Sequence, residues 1–128
     1  MSITHTTRIQ WTSPNGGVGI AASVSESADA EQNRILAIAA ANDQEFDLDF
    51  LFADLKSIFM LADQDMTVET NAADHTGGQQ IDLVAGVPFW WAESSGVTNP
   101  ITANVTKIFV SAAAAGALDI RILFDSAA

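Results

Sequence analysis

The chain has no cysteine and few basic residues, and these two shortages exclude several kinds of chemistry. Without cysteine, disulfide bonds and thiolate metal sites are excluded. Five Lys and Arg side chains accompany sixteen Asp and Glu side chains, which gives a net charge of −11 at pH 7. Because nucleic acids and anionic membranes attract basic surfaces, we expect neither as a partner. The acidic excess serves either solubility or electrostatic pairing with a basic protein surface.

Long apolar segments are also missing. The first eleven residues lack the basic segment followed by an apolar segment that marks a signal peptide. The longest apolar runs, Phe50–Ala62 and Ile108–Leu118, are too short to span a bilayer. At 128 residues the chain has the length of one domain. We therefore predict a single domain over residues 1–128, made in the cytoplasm and used there or in an assembly built there.

Apolar and polar residues alternate with a period of two in several stretches, which is the pattern of a strand with one buried face. In residues 45–52 the acidic residues alternate with apolar ones. The apolar face of this stretch consists of Phe46, Leu48, Phe50 and Phe52. The C-terminal stretch repeats the pattern with Leu118, Ile120, Ile122 and Phe124. We expect Phe46, Leu48, Phe50, Leu118, Ile120 and Ile122 to be core residues.

Short turn signals rich in Gly, Asn and Asp separate these stretches, as in Ser13–Gly17, Ala85–Gly86 and Ala115–Gly116. This spacing predicts an all-β domain, an antiparallel sandwich or barrel, with at most one or two short helical turns. The predicted strands are 3–12, 18–26, 33–40, 44–50, 57–63, 66–71, 79–85, 88–92, 106–113 and 117–125.

Two segments also fit a helix. Residues Ala28–Ala41 contain several good helix formers, and Phe52–Met60 has the length of a helical turn or two. Both alternatives stay open from the sequence. The topology of residues 1–43 is therefore not fixed by the pattern alone.

No motif for catalysis or metal binding is present. The two histidines, His5 and His75, lack the spacing of a zinc site, and there is no nucleophile elbow or phosphate-binding glycine loop. Asp63 and Asp65 offer oxygen ligands of the kind that Ca²⁺ takes, but a complete EF-hand pattern is absent. We expect no enzyme activity, no cofactor and no bound metal.

Three consecutive aromatic residues stand out in the second half of the chain, at Phe89, Trp90 and Trp91. On a strand, Phe89 and Trp91 face one way and Trp90 faces the other. One side enters the core, and the other meets solvent, a covering layer, a neighbouring subunit or a ligand. Because tryptophan is enriched in interfaces and its ring also stacks on sugars, these three residues are the candidate interface.

Four segments in the second half of the chain carry a family resemblance, and they are Met66–Asn71, Gln80–Trp91, Val105–Ser111 and Leu118–Asp125. In these segments the chain resembles small virion proteins of tailed phages that are encoded near the major capsid protein. The similarity covers about residues 44–125 and extends more loosely to Trp11–Thr12 and Gly16–Ser25.

This resemblance implies an antiparallel β-sandwich, often jelly-roll-like, that serves as a capsid decoration or cement protein in the virion. Its implied partners are the major capsid protein or other virion proteins. It also implies a homo-oligomer, with a trimer favoured, and no catalytic residues. The alternative is a carbohydrate- or receptor-binding module of a fibre or lectin-like kind, in which an exposed tryptophan is the stacking platform.

Overall fold

The computed structural model describes residues 2–11, 20–72 and 79–126. Within these ranges the chain forms ten β-strands and two single 3-10 turns, at Phe52–Asp54 and Glu93–Ser95. The strands are β1 (Ile3–Trp11), β2 (Ile20–Ala28), β3 (Ala30–Ile38), β4 (Gln44–Phe50), β5 (Leu55–Ala62), β6 (Met66–Thr70), β7 (Gln80–Leu83), β8 (Phe89–Ala92), β9 (Val105–Ala112) and β10 (Gly116–Phe124). No helix of the described residues is both long and apolar enough to cross a membrane.

Strands β3 to β10 form two four-stranded antiparallel sheets that pack as a sandwich. The first sheet has the order β3-β10-β5-β8, and the second has the order β4-β9-β6-β7. Strand β3 pairs with β10, β4 with β9, β5 with β8 and β6 with β7. These four pairs belong alternately to the first and the second sheet. This is the jelly-roll arrangement. The predicted fold class is confirmed.

The core lies between the two sheets and follows the period-two pattern of the sequence. Of the predicted core residues, Leu48, Phe50, Leu118, Ile120 and Ile122 are buried. Phe46 is half-buried and packs against the same cluster, because it lies on the edge strand β4 near the rim of the sandwich.

Strands β1 and β2 form a separate antiparallel hairpin, which we call the arm. The arm lies over the outer face of the first sheet, where β2 packs against β5, β8 and β10. It therefore adds a partial third layer on one side of the sandwich. The outer face of the second sheet has no such cover among the described residues.

The segment that fits a helix in the sequence, Ala28–Ala41, contains the edge strand β3 instead. Its helix formers Gln32 and Arg34 occupy alternate positions on the strand, and Leu36 and Ile38 continue that face into the core. Nine backbone pairs with β10 outweigh the small intrinsic preference for helix. In Phe52–Met60 the helical part is one 3-10 turn, and β5 takes the rest.

The turns follow the signals in the sequence where the structure describes them. Gly86 has a φ of +74° in the turn before β8, which explains the glycine there. Gly116 has a different role, since a β-carbon at that position would overlap the Asp63 carboxylate and displace it. The exposed alanines 113–115 form the tip between β9 and β10. The predicted turn at Ser13–Gly17 lies outside the described residues, as does a second Gly-containing turn signal of the sequence, His75–Gly78.

Candidate binding surfaces

The aromatic strand β8 forms one edge of the first sheet and divides its side chains between two faces. Trp91 is 6% exposed and belongs to the core between the sheets, where Phe89 packs beside it. The Trp91 indole N–H donates a 2.7 Å hydrogen bond to the carbonyl oxygen of Val97. This bond satisfies the polar atom of a buried ring and fixes the loop that follows β8.

Trp90 lies on the opposite, outer face of the first sheet and is half-buried. Its partner in the β5–β8 pairing is Phe59, which is also half-buried on that face. The two aromatic residues thus stand side by side on the face over which the arm runs. Among the three residues of the candidate interface, Trp90 is the one whose side chain points away from the sandwich core.

The base of the arm is joined to the sandwich by polar contacts. The His5 ring Nε2 lies 2.7 Å from the Glu31 carboxylate. The hydrogen bond from His5, followed by one from Asn33, holds the pKa of Glu31 below its usual value. On β2, the Glu26 carboxylate accepts a 2.7 Å hydrogen bond from the Ser94 backbone N–H and a second from the Ser94 hydroxyl.

Further polar contacts in the same region involve Asp125 and Ser126, which follow β10. The Lys56 ammonium contacts the Glu93 carboxylate at 2.7 Å and the Asp125 carboxylate at 3.8 Å. The hydrogen bond to Glu93 raises the pKa of Lys56 above its usual value. Asp29 accepts hydrogen bonds from the backbone and hydroxyl of Ser126, and these bonds lower the pKa of Asp29.

An open cleft of about 490 Å³ lies between β1 and the outer face of the first sheet. Its lining combines the Phe59 ring with the charged side chains of Arg8, Asp119 and Arg121. The Arg121 guanidinium donates to both oxygens of Asp119, at 3.0 and 3.2 Å, which fixes the two planar groups together. This bonding raises the pKa of Arg121. An aromatic ring beside a fixed planar ion pair can bind a flat, hydroxyl-rich ligand.

The outer face of the second sheet has a different character. Glu45, Asp47 and Asp49 are exposed along β4, and Asp82 is exposed on β7. Lys107 on β9 contacts Glu45 at 3.1 Å. This face therefore carries more acid than base, which suits a basic protein surface.

Asp63 and Asp65, the possible Ca²⁺ ligands, accept hydrogen bonds from backbone N–H groups at the turns. Asp63 Oδ1 accepts a 2.8 Å hydrogen bond from the Ala117 N–H, and Asp65 Oδ1 accepts a 2.9 Å bond from the Ala85 N–H. Within residues 2–11, 20–72 and 79–126, no three His, Asp or Glu side chains are grouped so that they could hold a metal ion. His75 lies outside these ranges.

The aromatic strand was predictable from the sequence, but the cleft was not. Phe59, Asp119 and Arg121 come from two strands that pair only in the folded sheet, so no spacing along the chain brings them together. Comparison with known protein families, curated proteins and solved structures finds no match for this chain.

Proposed function

We propose that this protein is a structural component of a tailed-phage virion, and specifically a capsid decoration or cement protein. The observation that carries the proposal is the jelly-roll order of the two sheets, an architecture that viral capsid domains use. It agrees with what the sequence resemblance to small virion proteins implies. Because one fold can host several functions, the surfaces must supply the rest of the argument.

The surfaces support binding rather than catalysis. The acidic outer face of the second sheet offers electrostatic complementarity to a basic patch on a shell protein. Many symmetry-related copies would add weak contacts into strong attachment, because each bound subunit rebinds from a high local concentration. The partners in this proposal are the major capsid protein or other virion proteins, and the chain itself works as a homo-oligomer, with a trimer favoured.

The experiment that tests this proposal is mass spectrometry of purified phage particles, combined with immunogold labelling of the chain. We expect the chain in the particles at a fixed ratio to the major capsid protein, with label distributed over the head. Particles that assemble from an infected host and contain none of the chain would overturn the proposal.

A second function is favoured by one specific observation, the cleft beneath the arm. Phe59 lies beside Trp90 and next to the fixed Asp119–Arg121 pair, and this combination suits carbohydrate binding. In that case the chain is a carbohydrate- or receptor-binding module of a fibre. The same labelling experiment separates the two functions, since label confined to fibre tips favours this second one. Retention on a sugar column that is lost in Trp90→Ala would support it further.

A further inference from the structure

The distal half of the arm has no cover from the residues that the structure describes. Close to the base, alternate residues of both strands are half-buried against the first sheet, including Thr7 and Val24. Beyond them, residues 8–10 of β1 and residues 21–23 of β2 are exposed on both faces of the ribbon. Ile9 keeps 49% of its surface exposed. An isolated two-stranded hairpin is at best marginally stable in water. A packing partner would therefore stabilise this half of the arm.

A second surface that is free among the described residues is the edge of strand β3. This strand has nine residues, forms one end of the first sheet and, of the described strands, pairs only with β10. In the part of the chain that the structure describes, no side chain forms a hydrogen bond with the backbone of β3. Ile35 in its middle is 72% exposed, more than any other large apolar residue described. A long edge strand with an exposed isoleucine in its middle is a template for another strand.

The other edges of the sandwich are short or already occupied. Strand β4 lies at the end of the second sheet, and the side chains of Gln32 and Arg34 bond to its carbonyl oxygens at Asp49 and Asp47. The remaining ends, β7 and β8, have four residues each. Strand β3 is therefore the edge of the sandwich that is best suited to pair with another chain.

The distribution of charge also favours the distal half of the arm and the free edge of β3 as surfaces for contact between copies. Two copies with a net charge of −11 each repel one another over most of their surfaces. The uncovered residues of the arm include Arg8 and no acidic side chain, and β3 contains one acid and one base, Glu31 and Arg34. The arm and the β3 edge can approach without adding to the repulsion.

We propose that the distal half of the arm of one copy pairs along the free edge of β3 in a second copy. The contact joins two different surfaces, so it repeats from copy to copy and can close into a ring, of which a trimer is the smallest beyond a dimer. The pairing gives the ribbon a third strand and covers Ile9 and Ile35. It goes beyond the proposed function, since it concerns the contact between copies and not the particle to which they attach.

The absence of cysteine allows a direct test by cross-linking. One full-length protein carries Ile9→Cys, and another carries Ile35→Cys. Each is treated with a bismaleimide reagent, alone and as a mixture, and the spacer tolerates a shift of one or two residues in register. Val84→Cys replaces Ile35→Cys as the matched control, because Val84 is a 57% exposed apolar residue in the turn before β8. Circular dichroism checks that every variant is folded.

We expect covalent dimers in the mixture of Ile9→Cys with Ile35→Cys, and no more than background in either protein alone or in the mixture with Val84→Cys. Dimers of Ile35→Cys alone would show edge-to-edge pairing of β3 and would overturn the proposal. Dimers of Ile9→Cys alone, or background in every mixture, would also overturn it.

Light scattering of a charged variant gives an independent test. Ile35→Lys should raise the dissociation constant between copies by about tenfold or more, since lysine blunts an edge strand, whereas Val84→Lys should leave it unchanged. Association of the unmodified chain should strengthen with salt, because screening weakens the repulsion between the acidic copies. Equal masses for both lysine variants would contradict the proposal. A chain that is found in particles as a monomer would overturn this inference and the favoured trimer, but it would leave the proposed attachment to the shell standing.

Discussion

The side-chain amide of Gln32 donates a 2.8 Å hydrogen bond to the carbonyl oxygen of Asp49. The bond crosses the open side of the sandwich from the edge strand of one sheet to the edge strand of the other. Arg34 makes the same kind of contact to the carbonyl oxygen of Asp47. Two polar side chains thus occupy backbone acceptors that would otherwise be available to another strand.

Gln32→Ala is predicted to reduce the free energy of unfolding by about 1 kcal/mol, the usual net value of one such hydrogen bond. Chemical denaturation measures this change. Gln64→Ala is the matched control, because Gln64 is an exposed glutamine in the turn between β5 and β6. The role assigned to Gln32 is wrong if the two variants unfold at the same denaturant concentration.

Trp91 and Trp90 are predicted to differ strongly when each is truncated. Trp91→Ala removes a buried ring and its hydrogen bond to Val97, and the free energy of unfolding should fall by roughly 3–5 kcal/mol. Trp90→Ala should cost less than half as much, because its ring is half-buried on the outer face. Equilibrium unfolding of the two variants, each serving as the control for the other, gives the comparison. Equal losses would contradict the assignment of the two faces.

Much of this fold was predictable from alternation. The strands at residues 44–50 and 117–125 were predicted almost to the residue, because one face of each is packed in the core and the pattern reports burial. The strand at Ala30–Ile38 was not, since an edge strand with Gln32 and Arg34 at inward positions shows less contrast between its faces. The packing of the arm could not be predicted either, because His5 meets Glu31 only through tertiary structure.

The contact between His5 and Glu31 predicts a dependence of stability on pH. The folded-state pKa of Glu31 lies below the unfolded value of about 4.3, so the carboxylate stabilises the fold above that pH. This contribution is lost as the pH falls through the folded-state pKa. Glu31→Gln should therefore melt at a lower temperature than the unmodified chain at pH 7. Scanning calorimetry from pH 7 to about pH 2 should show the two melting temperatures converging in acid. A constant difference across that range would exclude a contribution from the Glu31 carboxylate.

Metal removal is predicted to leave stability unchanged. Asp63 and Asp65 already accept hydrogen bonds from the backbone of neighbouring turns. The described residues contain no group of side chains arranged for a metal ion. The melting temperature should be the same in EDTA and in calcium-containing buffer. A drop in EDTA that added Ca²⁺ reverses would show that the acidic turns bind the ion.

We propose that the chain attaches to a phage shell and reinforces it. This is tested directly by a titration of the purified protein against particles that lack the chain. The number of bound copies is counted, and the temperature of genome release is recorded. We predict saturation at a fixed number of copies per particle, divisible by three, and a release temperature that rises with occupancy. Binding that never saturates, or saturation with no change in release temperature, would contradict the claim.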